Sequence, residues 1–229
     1  MQLRDALRTT GAVREFEDRA VPRALLYDVL EAARFSPSGG NRQGWRVISV
    51  EDAERRRALR DAYLPGWYEY LAQAGAGLVP FSPANDRARE AHAMQGASEL
   101  ARDASGGAGG FAEHLDEVPV LLLVVADLRH IAAMDRDAGR YPLVAGASVY
   151  PFCWSVLLAA HDAGLGGVLT TMVRRRDADV RERFGLAEHD EVAALLALGW
   201  PTSRATRLRR APVEQFAHVD SLDGPPLTR

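Results

Sequence analysis

Residues 35–45 read FSPSGGNRQGW. A proline, serines, glycines, an asparagine and a glutamine crowd one short stretch. A plain turn needs only one or two such residues. The rest must answer to packing, to a second chain or to a ligand. Upstream, Ala20 to Phe35 reads as an amphipathic helix, with Pro22 in its first turn and Leu25, Leu26, Val29, Leu30 and Ala33 on one face. Downstream, Trp45 to Val50 reads as a strand. The stretch is therefore a helix-to-strand loop that exposes backbone and carries side-chain donors and acceptors.

Beyond it, Ala53 to Tyr63 reads as a charged, arginine-rich helix. Leu64 to Leu115 has no steady period. Within it Asn85 to Asp103 reads as helical and the run SGGAGG at 105–110 as mobile. This middle third is expected to act as a lid, about residues 64–115, and not as a second domain. Val118 to Asp127, VPVLLLVVAD, is almost continuously apolar and predicts a central strand covered on both faces. Gly146 to Ala163 predicts an apolar helix, kinked by Pro151 and ended by Gly164. Strands are expected at Gly167 to Met172 and Val192 to Trp200, with a short helix at Asp177 to Phe184 ended by Gly185 and a stop at Pro201. Residues 201–229 form a C-terminal arm rich in arginine. Interleaved but not strictly alternating elements favour an α+β fold over a doubly wound one.

The 229 residues suit one domain with a lid or arm. A net charge of −3 supplies no global basic field, so nucleic acid is not an expected partner. The lone Cys153 excludes an intrachain disulfide framework and a thiolate metal cage. Residues 1–20 hold no apolar run of signal-peptide length, and no stretch approaches the ~20 apolar residues that span a bilayer. A cytoplasmic protein with no membrane partner is the expectation.

The histidines His92, His114, His130, His161, His189 and His218 are scattered, with no pair at helical spacing, so no metal is expected. The dinucleotide fingerprint, the Walker A loop and the G-x-S-x-G elbow are missing. The chain thus offers no acid, base or nucleophile set of its own, and any catalysis would be carried by a cofactor. Arg8 and Arg14 near one end and Arg207, Arg209 and Arg210 near the other are candidate phosphate forks.

Pro37-Ser38-Gly39-Gly40-Asn41-Arg42-Gln43, between its helix and Trp45-Arg46-Val47, resembles the flavin-contact loop of the nitroreductase family of FMN-dependent oxidoreductases. Ala12-Val13-Arg14-Glu15-Phe16 with Val21-Pro22 is similar to that family's N-terminal phosphate-binding segment. Gly164-Leu165-Gly166-Gly167, Leu169 and Thr170-Thr171 are similar to its second flavin-contact segment. Leu198-Gly199-Trp200-Pro201 and Arg209-Arg210-Ala211-Pro212 resemble its closing strand and C-terminal phosphate contact. The chain departs from the pattern at Thr10-Gly11-Ala12, where the family usually carries an arginine and a serine; either phosphate affinity is lower for it, or Arg8 or Arg207 substitutes.

The resemblance implies a three-layer sandwich around a mixed or antiparallel sheet, in an intertwined homodimer whose two FMN sites draw on both chains. It implies Ser38, Gly39, Gly40, Asn41 and Gln43 at the flavin ring, Gly166, Gly167 and Leu169 beside it, and Thr170 or Thr171 next to its reactive nitrogen. It implies Arg14, Arg209 and Arg210 at the phosphate. Glycines admit backbone close to a flat ring, and Asn41 and Gln43 suit its pyrimidine edge. The implied activity is ping-pong hydride transfer from NAD(P)H to an electron-poor small molecule, with Trp67, Tyr68, Tyr70 and Phe81 over the ring. Other flavin chemistry, such as reductive dehalogenation, dehydrogenation or flavin breakdown, and a non-catalytic flavin binder remain alternatives.

Overall fold

A computed structural model describes residues 1–105, 110–204 and 207–229. In chain order the elements are α1 (Leu3–Thr9), α2 (Arg23–Ala33), β1 (Trp45–Ser49), α3 (Ala53–Gly75), α4 (Arg87–Met94), α5 (Ala97–Ser105), β2 (Val120–Asp127), α6 (Tyr150–Asp162), β3 (Gly166–Thr170), α7 (Asp177–Phe184) and β4 (Asp190–Gly199). The four strands lie in the order β1-β2-β4-β3, every neighbouring pair antiparallel. A parallel bridge from Ala12 to Gly167 adds the N-terminal segment outside β3. The fold is α+β, as the interleaved pattern predicts.

Every residue of β2 is buried, because both faces of the sheet are covered. Leu122, Val124 and Ala126 face one core with Val29 of α2 and Phe152, Val156 and Ala160 of α6. Leu121, Leu123 and Val125 face a second core with Leu59 and Tyr63 of α3, Leu115 and Val180 of α7. This alternation produces three layers from one apolar run. The register shifts between Val124 and Val125, leaving Ala193 as the extra residue of β4, so that Val192 faces the α3 side.

Several boundaries differ from the sequence pattern. Helix α3 does not stop at Tyr63 but runs on to Gly75 through Pro65. Pro65 is exposed, so the carbonyl it leaves unpaired can reach water. Gly66 beside it lets the 172–175 turn approach, since a Cβ there would lie 2.8 Å from Arg175 Cγ. Within the region expected to be aperiodic, residues 64–105 are thus largely helical, and the expected 85–103 helix breaks into α4 and α5 around Gln95-Gly96. Pro151 does not kink α6: it occupies the first turn, where its missing N–H has no partner to lose. Gly164 does end α6, at φ +91°, while Leu165 N–H returns to Ala160 C=O at 2.8 Å. Four of the six residues in the run expected to be mobile, 106–109, lie outside the described residues. Among the described residues no helix is long and apolar enough to cross a membrane.

Arg56 is not a solvated charge, as an exposed arginine-rich helix would suggest. It is half-buried and donates to the carbonyls of Asp116 (2.8 Å), Val50 (2.9 Å) and Val118, tying α3 to both ends of its core. The C-terminal arm crosses α1, where Leu208 N–H donates to Arg8 C=O at 3.0 Å, and then folds on itself through Leu227 N–H to Ala217 C=O at 2.9 Å. Phe216, Leu222 and Leu227 of the arm are exposed, as are Tyr150 and Trp154 on the outer strip of α6.

Candidate functional site

The 38–43 loop is a built structure. Ser38 Oγ accepts from Gln43 N–H at 2.9 Å, and Gly39 N–H donates to Ser148 Oγ at 3.1 Å. Gln43 Nε2 donates to Asn41 Oδ1 at 3.2 Å. Gly40 adopts φ +62°, as glycine readily does. Asn41 and Gln43 adopt φ +53° and +50°, a left-handed conformation that side chains disfavour and that recurs at ligand clamps. The loop is anchored below by Asp127 N–H to Gly44 C=O at 2.7 Å and by Trp45, whose ring stacks on Phe152 at 4.9 Å. Asp127, His189 and Asp190 gather at this end of the sheet, but Arg129 grips the Asp127 carboxylate at 2.7 and 2.9 Å and Arg46 pairs with Asp190. The hydrogen bonds from Arg129 hold the Asp127 carboxyl well below the usual carboxylate range. These pairs make the cluster a brace for the loop.

At the other end of the sheet a cavity of about 590 Å³ opens between residues 9–15, the start of β3, His161 and residues 201–204. Arg14, Gly166 and Gly167 line it. Arg14 has no hydrogen-bond or carboxylate partner among the described residues. Both glycines are buried and tightly packed: a Cβ at Gly166 would lie 2.8 Å from Val13 Cγ2, and one at Gly167 would lie 2.7 Å from Ala197 C=O. Their first use is to let the N-terminal segment and β4 close on β3. Further along β3, Leu169 packs against the α6-side core and Thr170 is half-buried, while Thr171 just beyond is exposed. Thr170 faces the Tyr63 phenol, whose pKa burial pushes up.

A second cavity, of about 1190 Å³, shares Arg14 and Glu15 with the first and is walled by Phe16, Trp67 and Phe111. Trp67 stacks on Tyr70 at 5.5 Å, and Tyr63 meets Phe111 edge-on at 6.2 Å. Of the other aromatics expected over a ring, Tyr68 is buried with its hydroxyl donating to Glu113 at 3.0 Å, and Phe81 lies under Arg175. Arg209 and Arg210 are exposed on the arm and line neither cavity.

One chain therefore does not bring the expected site together. Trp45, at the end of the loop, pairs with Ala126, whereas Gly167 pairs with Leu198 and through it with Val120. Six residue steps along β2, from Val120 to Ala126, separate those levels by roughly 20 Å, and the β1 and β3 edges are roughly 14 Å apart across the sheet. Sequence reasoning missed Tyr63, His161 and Arg204, which face Thr170 or the first cavity; no spacing motif marks them.

The nitroreductase family model matches residues 7–200. An NADH dehydrogenase of Thermus thermophilus is 30% identical over 204 residues, 89% of each chain. The putative NAD(P)H nitroreductase YfhC of Bacillus subtilis is 24% identical over 92% of this chain and 90% of its own. An oxidised iodotyrosine deiodinase, solved with FMN and 3-iodo-L-tyrosine, superposes with a TM-score of 0.60 at 22% identity, over 93% of this chain and 96% of that one. A match across most of the chain, on the three-layer fold described above, makes this protein an oxidoreductase of the FMN-dependent nitroreductase family.

Proposed function

We propose that the protein binds FMN at two sites built between two copies of the chain, and transfers hydride from NAD(P)H to an electron-poor small molecule. The observation that carries this reading is the split of the expected contacts. A side-chain-rich loop with Asn41 and Gln43 at positive φ sits at one corner of the sheet, and an arginine unpaired among the described residues sits in a glycine-backed cavity at the opposite corner. FMN held between these residues would supply the hydride-relay chemistry that links NAD(P)H to the second substrate in a ping-pong cycle. The chain's part is to hold and orient. Ser38, Gly39, Gly40, Asn41 and Gln43 of one copy meet the ring. Arg14, Gly166, Gly167, Leu169 and Thr170-Thr171 of the other meet the phosphate and the reacting edge, with Arg209 and Arg210 of the arm nearby. Residues 64–115 act as the lid. Phe16, Trp67 and Phe111 line the second cavity beside Arg14, together with the charged side chains of Glu17, Asp18 and Arg19.

The donor set fits the group: a fixed cation for a terminal phosphate, amide donors and acceptors for a pyrimidine edge, and no pyrophosphate loop. A second reading, reductive dehalogenation, is supported by the likeness to iodotyrosine deiodinase. The test is purification followed by anaerobic mixing with NADH or NADPH. The protein is expected to be yellow, to release FMN and not FAD on denaturation, and to bleach with a reduced nicotinamide. Reoxidation by a nitroaromatic, a quinone or an iodotyrosine separates the two readings. A colourless protein that takes up no added FMN refutes both.

A further inference from the structure

The first cavity contains a second guanidinium that no resemblance assigned. Residues 201–204 are stitched to the N-terminal segment by Glu17 N–H to Trp200 C=O at 2.8 Å, by Thr202 N–H to Glu15 C=O at 3.2 Å and by the bridge from Phe16 to Pro201. This places Ser203 and Arg204 on the cavity wall that Arg14 also lines. Arg204 donates to Gly164 C=O and has no carboxylate partner among the described residues. Glu15 is the one carboxylate in the lining, and it is exposed and pairs with neither arginine. Two exposed cations with no carboxylate partner among the described residues line one cavity, and an anion placed between them would be attracted by both. The remaining polar groups do not supply one. Thr9 and Thr10 donate their hydroxyls to Asp5 C=O and Ala6 C=O, both at 2.7 Å. His161 is held by Thr9 Oγ1 at 2.8 Å, and burial and Arg204 keep it toward its neutral form.

We propose that Arg204, together with Arg14, binds the terminal phosphate of the flavin nucleotide and takes over the role left vacant at Thr10-Gly11-Ala12. Neither Arg8 nor Arg207 lines the cavity: its lining begins at Thr9, the last residue of α1, and Arg207 precedes the crossing of Leu208 over Arg8. The inference rests on the FMN reading above and adds one residue to its phosphate subsite.

The test uses a phosphate-bearing and a phosphate-free probe, FMN and riboflavin. Each is titrated by fluorescence quenching into the wild-type protein and into Arg204→Gln and Arg204→Lys. Glutamine keeps a donor for Gly164 C=O and removes the charge, and thermal melts confirm the fold. The expected result is an FMN Kd raised about ten- to a hundredfold in Arg204→Gln. Arg204→Lys should be intermediate, and riboflavin affinity should be unchanged in all three proteins. If the wild type prefers FMN over riboflavin and Arg204→Gln keeps that preference, the phosphate is held elsewhere and the assignment of Arg204 is overturned alone. If riboflavin weakens as much as FMN, Arg204 supports the fold of the site and not the phosphate, and the assignment is again overturned. A wild-type protein that binds neither flavin overturns the FMN reading itself.

Discussion

If the proposed site is shared between chains, two separately crippled variants should repair each other. Gly40→Val damages one corner. At φ +62° a β-branched residue is strained by about 1–3 kcal/mol, so the loop is expected to leave its clamp conformation. Arg14→Ala damages the other corner, where loss of a charge-assisted contact should cost about 1.5–3 kcal/mol, about ten- to a hundredfold in Kd. The two corners lie on a diagonal of roughly 20 Å by 14 Å, longer than one flavin mononucleotide. In a two-fold dimer of Gly40→Val with Arg14→Ala, one site carries both lesions and the other carries neither. Random pairing of equal amounts then restores about a quarter of all sites to wild-type affinity. The assay is co-expression with two different tags, tandem purification of the mixed species, and FMN titration. Mixed dimers bind one FMN tightly per pair, while each parent binds weakly at both sites. Mixed dimers with no tight site would refute the shared-site reasoning and return the whole site to one chain.

Three further outcomes are expected. Trp154→Glu, on the exposed outer strip of α6, should lose the dimer and the flavin together, measured by analytical ultracentrifugation at the flavin band; a folded monomer with wild-type FMN affinity would contradict this. Arg56→Ala should lose about 2–4 kcal/mol of stability by leaving the carbonyls of Asp116, Val50 and Val118 unsatisfied, whereas exposed Arg57→Ala should leave the melting temperature nearly unchanged. Cys153 is fully buried and its thiol is pushed up to about 12 by burial, so a thiol reagent at pH 8 should label it only after unfolding; labelling of the native protein would place it elsewhere.

What the sequence carried well was the part governed by local pattern. The apolar run 118–127 dictated a strand covered on both faces, and α2, α6 and α7 begin or end within a few residues of the signals at Pro22, Gly164 and Gly185. It carried less where tertiary contacts override a local rule. Pro65-Gly66 reads as a break, yet the aromatic contacts of Tyr63, Trp67 and Phe111 span it and the 172–175 turn needs the glycine. Pro151 reads as a kink because the pattern cannot show where the first turn begins. The arginines at 55, 56 and 57 are alike in sequence, and only the carbonyls around Arg56 distinguish it. At the candidate site, the loop motif marks a left-handed loop at one corner of the sheet, and Arg14 lines a cavity at the other. Arg204 escaped because its place beside Arg14 depends on hydrogen bonds between segments nearly the whole chain apart.

The same facts bear on why so much apolar side chain is left in water. Trp154 is 40% exposed on a helix whose other side is the main core, and Phe216 and Leu222 of the arm are 66% and 87% exposed. Scattered exposed apolar residues need no explanation, but these belong to an element beside the loop and to a tail that crosses the cavity end of the molecule. A second copy that covered them would bring its own loop or cavity with it. In a two-fold arrangement each surface meets its equivalent, so burying the α6 strip and bringing opposite corners together are one operation and not two. Hydrophobic burial would then supply the free energy of association, and the flavin would add its own through mass action. On the proposed reading Asn41 and Gln43 at positive φ and Arg14, unpaired among the described residues, would be the two halves of a site that association closes.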